Sequence, residues 1–257
     1  MLEAVIFFPY FFFFALGAII GSFVLVVAER LHTGASWVSG KSRCDSCSYD
    51  LAPRDLVPIF SWLINRGRCR NCASLLSPRY IGAEVALGAL FVLSYAYLGL
   101  TVRLPFLLLS MALILAIVIY DFRHTIIPLQ FSLLLIASSL IYVILGYPDA
   151  AALGLTLLVA GTIGLAFFLF WFVSLGKLMG LGDAPVAFAL SLLLGGSAAL
   201  SGLIFSFWIG AVIGIAILLR LPPGRRMGVE VPFAPFLAAG FLLALFTGWN
   251  PLYLFVF

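Results

Sequence analysis

Apolar runs long enough to cross a bilayer recur along this chain and leave little else to build with. A hydrocarbon core of roughly 30 Å takes about 20 residues of helix. Eight stretches reach or approach that length: 4–28, 80–99, 104–120, 126–145, 152–175, 185–200, 202–219 and 232–250. The chain is 64% hydrophobic and 9% charged, with a mean hydropathy of +1.22. A water-soluble domain of 257 residues cannot hide so much apolar surface. The expected fold is therefore an all-α polytopic membrane protein of about eight transmembrane helices. Lipid offers backbone groups no partners, and the runs are too long for barrel strands. The first run is not expected to be a secretory leader. It is too long, lacks a basic start, and ends at Glu29-Arg30 without a small-residue cleavage site.

The cations are distributed unevenly. Segment 29–79 carries eight of the fourteen Lys and Arg. With eight crossings, the loops holding Arg123, Lys177, and Arg220 with Arg225 and Arg226 share its side, which leaves only Arg103 opposite. The positive-inside bias then puts loop 29–79 in the cytoplasm and both termini outside. The implied organisation is a first helix at 1–28, a cytoplasmic loop domain at 29–79 and a seven-helix core at 80–257. The net charge of +4 is an orientation signal and calls for no nucleic-acid partner.

Loop 29–79 holds all four cysteines, as Cys44-x2-Cys47 and Cys69-x2-Cys72. Two such pairs can supply four thiolates to a tetrahedral zinc, with no open position for catalysis. Four arginines and a lysine nearby favour thiolate over thiol. Disulfides are not expected in a reducing compartment. About 50 residues make a poor core unaided, so a structural Zn2+ would act as a staple.

Of ten acidic residues, Glu3, Glu29, Asp45, Asp50, Asp55, Asp149 and Glu230 fall in loops or at ends. Glu84, Asp121 and Asp183 lie close to lipid. Asp121 closes the third run just before Ile126-Ile127-Pro128. Asp183 follows Gly180-Leu181-Gly182 at the start of the sixth. Both are expected at the same membrane boundary. Glycines at 180 and 182 permit a bend and a close approach to a neighbour. Two carboxylates sharing a gap between helices cannot both ionise easily, so one holds a proton while the other serves as base. That pair suits hydrolysis of a peptide bond. Each aspartate taken singly also fits a simpler role: Asp183 as a helix cap, Asp121 as a partner of Arg123. Two further readings of the chain compete. Intramembrane acids mark ion paths in transporters, and a zinc loop can serve a non-catalytic scaffold. Only His32 and His124 are present, with no H-E-x-x-H, no G-x-S-x-G and no phosphate-binding glycine loop. Gly195-Gly196-Ser197 has no histidine predicted near it. Gly17-x3-Gly21 and Gly210-x3-Gly214 read as helix-packing faces.

These residues together resemble the type IV prepilin (leader) peptidases, which are GxGD-type intramembrane aspartic peptidases. The resemblance runs through Gly21-Ser22-Phe23, Glu29-Arg30-Leu31, the two cysteine pairs, Asp55-x2-Pro58, Ser61-Trp62-Leu63, Arg66-Gly67-Arg68, Ser77-x-Arg79-Tyr80 and Glu84. It continues through Asp121 with Ile127-Pro128, Gly180-x-Gly182-Asp183, and Val231-Pro232-Phe233-Ala234-Pro235-Phe236. It implies an inner-membrane endopeptidase that cuts basic leaders from type IV prepilins or type II secretion pseudopilins at the cytoplasmic face. Asp121 and Asp183 would be the catalytic pair. It also implies N-methylation of the new amino terminus with S-adenosylmethionine, an activity linked to the cysteine loop. The chain departs from the pattern at Leu25 and Leu56, where the family has asparagine, at Leu129, where it has aspartate, and at Pro185, where it has lysine. Losing two polar side chains near the loop leaves methyl transfer open. Glu84 and Arg79 match the family motif, and equally fit an interfacial ion pair or two independent snorkelling charges.

Overall fold

The computed structural model describes residues 2–34, 36, 42–44, 46–147, 149–196, 198–220, 222 and 231–251. Lys41, Asp45, Ser197, Arg225, Arg226 and Glu230, and the side chains of Glu3 and His32, lie outside the described residues. Among the described residues, nine α-helices run in the order α1 (Leu2–Thr33), α2 (Phe60–Ile64), α3 (Arg79–Leu98), α4 (Leu104–His124), α5 (Leu129–Ile144), α6 (Ala150–Ser174), α7 (Asp183–Leu194), α8 (Ala198–Arg220) and α9 (Ala234–Thr247). Among the described residues there is no strand beyond two isolated bridges. Every helix except α2 falls on one of the eight expected runs. Helices α1, α3, α4, α6 and α8 are long and apolar enough to cross a membrane, while α5, α7 and α9 are apolar but shorter. The chain is a multi-pass membrane protein.

The chain divides into two compact units, Met1–Gly99 and Leu100–Phe257. In the first, α1 and α3 pack antiparallel over the length of α3. A Cβ on Gly17 would lie 2.6 Å from the Leu87 carbonyl oxygen, and one on Gly21 2.7 Å from that of Ala83. Glycine at these positions lets the backbones touch, as expected of a small-residue packing face. Phe13 and Tyr95 stack at 4.7 Å further along. At the opposite end the Tyr80 hydroxyl donates to Glu29 Oε2 at 3.3 Å.

In the second unit α7 is the innermost helix. Nine of its twelve residues are buried, and α5, α6, α8 and α9 all pack on it. Surrounded by protein, it can end abruptly at Gly195 without offering bare backbone to lipid. Helix α6 is peripheral and buries a single stripe, Thr156, Ala160, Ile163 and Phe167, spaced as one helix face requires. The second glycine face packs only in part: a Cβ on Gly210 would lie 3.4 Å from Phe236 Cδ2 on α9, an ordinary contact that does not demand glycine. A Cβ on Gly214 would meet open space. The close approach of α8 and α9 is made instead by Gly240, which lies directly against the Ser206 backbone. Ser206 Oγ then accompanies the contact by donating to the Leu237 carbonyl at 3.1 Å.

Candidate active site and cysteine cluster

Helix α4 ends where Thr125 takes a left-handed conformation (φ 51°) and its N–H caps back to the Asp121 carbonyl. Ile126-Ile127-Pro128 then leads into α5. Asp121, on the last turn of α4, is buried, and its Oδ2 accepts the Ala234 N–H at 3.2 Å. Ala234 opens α9, so this N–H has no partner within its own helix. The carboxylate of one helix thus supplies what the N-terminus of another lacks, and it faces the positive end of the α9 dipole.

Asp183 is also buried. It is the first residue of α7, while the capping position belongs to Gly182, and no side chain caps this helix. The capping role open to Asp183 in the sequence is therefore not the one it plays. The glycine before it acts through a close approach. A Cβ on Gly182 would sit 2.7 Å from the Ile127 Cβ, so the start of α7 can nestle against the α4–α5 turn only with glycine there. This contact brings the Ile127-Pro128 and Gly180-x-Gly182-Asp183 segments together. Asp121 and Asp183 consequently line one cavity of about 1060 Å3, with Ile127, Ser132, Met179 and Phe233 among its walls. Lys177, exposed, also lines this cavity.

In the first unit the four cysteine sulfurs lie within 4.8 Å of one another and can hold a metal ion. Cys44 and Cys72 Sγ are 3.9 Å apart, close to the ~3.8 Å that ligands of a tetrahedral zinc with ~2.3 Å bonds must keep. The two cysteine pairs sit on matching turns. Cys44 N–H bonds to the Tyr49 carbonyl and Ser48 N–H to the Cys44 carbonyl; Cys69 N–H bonds to Ser74 and Ala73 N–H to Cys69 in the same way. Ser48 and Ala73 both adopt positive φ. Bridges Arg43–Asp50 and Arg68–Leu75 close the two turns. The repeated Arg-Cys-x2-Cys string is the sequence signal of this duplication, and it is easily passed over when the cysteines are read only as spacings.

At Cys44 and Cys72 the thiolate is favoured by backbone and hydroxyl donors rather than by the arginines. The N–H groups of Ser46 and Cys47, with the Ser74 hydroxyl, lower the Cys44 thiol to about 6. The Ser74 hydroxyl also lowers Cys72. The arginines are engaged elsewhere: Arg43 with Asp50 at 2.7 Å, Arg70 with Asp55 at 3.1 Å, and Arg68 with the Ala73 carbonyl at 3.3 Å. Beside the cluster lies a cavity of about 320 Å3 whose walls include Glu29, Asp55, Trp62, Tyr80 and Glu84. Glu84 is buried, and its Oε2 accepts the Ile59 N–H at 2.6 Å. Among the described residues no ion pair joins it to Arg79, which is exposed.

Residues 15–98 match the family described as the Bacterial Peptidase A24 N-terminal domain, a stretch that falls within the first compact unit. Two curated relatives are both named prepilin leader peptidase/N-methyltransferase. The one from Myxococcus xanthus (strain DK1622) is 32% identical over 81% of this chain. The one from Bacillus subtilis (strain 168) is 28% identical over 91% of this chain. The matched region spans about 63% of the length of the Myxococcus protein and 93% of the Bacillus one. No solved structure matches the chain. The N-terminal part of the chain thus carries the peptidase A24 N-terminal domain, and the chain is similar over most of its length to two prepilin leader peptidases.

Proposed function

We propose that this protein is a membrane aspartic endopeptidase that removes the basic leader from type IV prepilins or pseudopilins, with Asp121 and Asp183 as its catalytic pair. The observation that carries the reading is the burial of both carboxylates on the wall of one cavity. Two carboxyl groups there work with one proton between them. The ionised member takes a proton from a water whose oxygen attacks the scissile carbonyl. The protonated member donates to the carbonyl oxygen; the base then passes the proton it took from water to the departing amine as the C–N bond breaks, and the collapsing diol returns the other proton to the second carboxyl group. The Ala234 N–H, fixed on Asp121 Oδ2, holds that carboxylate in place through the cycle. The cation distribution supports an inner-membrane setting with loop 29–79 and the cavity at the cytoplasmic face. There a substrate with a basic cytoplasmic leader and a following apolar helix would present its cleavage site at the right level. Neither relative carries a transporter's name, which leaves that reading of the same aspartates without support.

Leader removal from a co-expressed prepilin tests this. Wild type should cleave, and Asp121→Asn and Asp183→Asn should each fail at similar protein levels. Asparagine at 121 can still accept the Ala234 N–H, so the variant isolates chemistry from folding. Cleavage by both variants would end the aspartic mechanism.

Cys44, Cys47, Cys69 and Cys72 are the proposed ligands of a structural Zn2+. The relatives' names extend the reading to methylation of the new amino terminus. The cavity beside the cysteines is the proposed place for the methyl donor. Its wall carries Glu29, Asp55 and Glu84 together with Arg30, Arg43, Arg68 and Arg70, so it can meet both a carboxylate and a cationic centre, and among the described residues the buried Trp62 indole N–H has no partner. S-adenosylmethionine, which carries both charges, would supply an electrophilic methyl group there. Mass spectrometry of the processed substrate decides: a methylated terminus is expected, and complete cleavage with an unmodified terminus would remove this second activity.

A further inference from the structure

Helix α2 is two-faced on a very small scale. Ser61, Trp62 and Asn65, at its end, line the cavity beside the cysteines. Phe60, Leu63 and Ile64 point away and are 61%, 55% and 74% exposed. The spacing i, i+3, i+4 puts these three on one side of a helix, and Val57 adjoins them, also exposed. Single exposed apolar side chains are ordinary, but a contiguous cluster on an extramembrane element marks something that covers it. These residues are as open as Val85, Leu93 and Tyr97 on the flank of α3, which face lipid in a crossing helix.

The depth of α2 follows from one bond. Ile59, immediately before it, donates its N–H to Glu84 Oε2 at 2.6 Å. Glu84 lies on the second turn of α3, about 7.5 Å along the axis from Arg79 at ~1.5 Å per residue. A twenty-residue helix such as α3 only just spans the hydrocarbon core, so its second turn lies at or inside the membrane interface. Helix α2 is therefore held level with the bilayer surface. The chain bends sharply to stay there. Ile59 has φ 64° and ψ −54°, and the Phe60 N–H bonds to the Pro58 carbonyl at 2.6 Å. This is a γ-turn centred on a β-branched residue, a conformation kept only where surrounding contacts enforce it. It aims the apolar side of α2 away from the loop's own core. Arg54 and Arg66 flank the cluster and are exposed, placed to meet anionic headgroups as cations do beside interfacial helices.

We infer that Val57, Phe60, Leu63 and Ile64 form a membrane-surface anchor, inserted among lipid chains beside α3, with Arg54 and Arg66 on lipid phosphates. It fixes the cysteine domain to the bilayer at a set height, independently of whatever metal or methyl donor the domain binds. The partner is the lipid surface, because the Ile59–Glu84 bond holds the exposed cluster at the depth of the second turn of α3.

Photocrosslinking of the full-length protein in vesicles of phosphatidylethanolamine and phosphatidylglycerol tests this. p-Benzoylphenylalanine replaces Phe60 or Ile64 in turn, and Val173, exposed on α6, serves as the lipid-facing control. Phospholipid adducts are expected at both loop positions, in yields matching the control. In a background carrying Arg54→Glu and Arg66→Glu, the adduct at Phe60 should fall severalfold in these vesicles and hold steady in neutral phosphatidylcholine. An unchanged yield would overturn the headgroup contacts. Adducts to residues 100–257, to a second chain, or to nothing at all, while the control labels lipid, would overturn the anchor.

Discussion

Gly182 has no side chain, yet its contact is what lets two distant carboxylates share a cavity. An added methyl would lie 2.7 Å from the Ile127 Cβ, closer than two carbons tolerate, so α7 would have to withdraw from the α4–α5 turn. A displacement on the order of 1 Å at a reacting centre can cost ~100-fold in rate. Gly182→Ala should therefore cut leader removal by about that factor, with little change in protein level. Ile127→Gly should restore much of it. Ile127→Ala should not, because the obstructing atom is the Cβ that alanine keeps. Rescue by alanine would show that the clash is not what disables the variant. The cysteines allow a second forecast at this scale. The Cys44 thiol is lowered from 9.0 to about 6, so its thiolate, the form that binds metal, survives as pH drops until about 6 and is lost below. The stabilisation from this group is complete above the ordinary thiol range and vanishes as pH falls through about 6. Purified protein should carry about one zinc per chain and lose it as acid protonates the ligands, and Cys44→Ser or Cys69→Ser should weaken its hold at neutral pH. Metal analysis across a pH series checks both.

Helices were easy to find in this sequence and their neighbours were not. Length and hydropathy located all eight apolar helices, since lipid leaves an uninterrupted apolar run almost no other structure to adopt. The ends are set by proline and glycine. Pro128 delays α5 to Leu129, Gly195 stops α7 early, and Gly248 closes α9, each trimming an expected run. Partner choice is harder to read, because apolar residues cover every face and no polar stripe shows which side is buried. The informative residues are the small ones. Gly17 and Gly21 marked the α1–α3 seam correctly, whereas Gly210-x3-Gly214 has the same spacing and Gly214 makes no close contact. Nothing in the spacing distinguishes the two cases. The seam offers a direct test. Leucine at Gly17 would drive its side chain into the Leu87 carbonyl, which cannot yield without moving α3. Such overpacking costs at least about 2 kcal/mol. Gly17→Leu should lower the thermal midpoint of the detergent-solubilised protein and expose the 34–78 loop to protease, whereas Gly214→Leu should do neither. The aspartates were legible for a different reason: charge is so scarce here that an acid beside lipid stands out. The bond from Ala234 to Asp121 and the approach of Gly182 to Ile127 were visible only as motifs, since backbone donors and close approaches leave no residue type of their own.

At the scale of the whole molecule the weak point is α7, whose twelve residues span about 18 Å, well short of a hydrocarbon core. Its route is nevertheless constrained. The cavity of the second unit is lined by the end of α4, the start of α5, the segment after α6, the start of α7 and the residues just before α9. Successive helices therefore arrive at the cavity and leave it in alternation. Helix α7 leaves, and α8 must return the chain for α9 to begin there. Only if α7 counts as a full leg does this path close, and only then do Arg220, Arg225 and Arg226 fall on the same side as loop 29–79. Buried on most of its surface, α7 need not match the lipid thickness itself, because α6 and α8, at 25 and 23 residues, form the boundary around it. A reporter enzyme active only outside the cytoplasm should therefore be active when fused after Gly195 and silent when fused after Arg220. Silence at both positions would make α7 and α8 a re-entrant pair, and activity at both would reverse the assignment of the 220–231 loop. Either result would require a new account of how Asp121 and Asp183 come to one side of the membrane together.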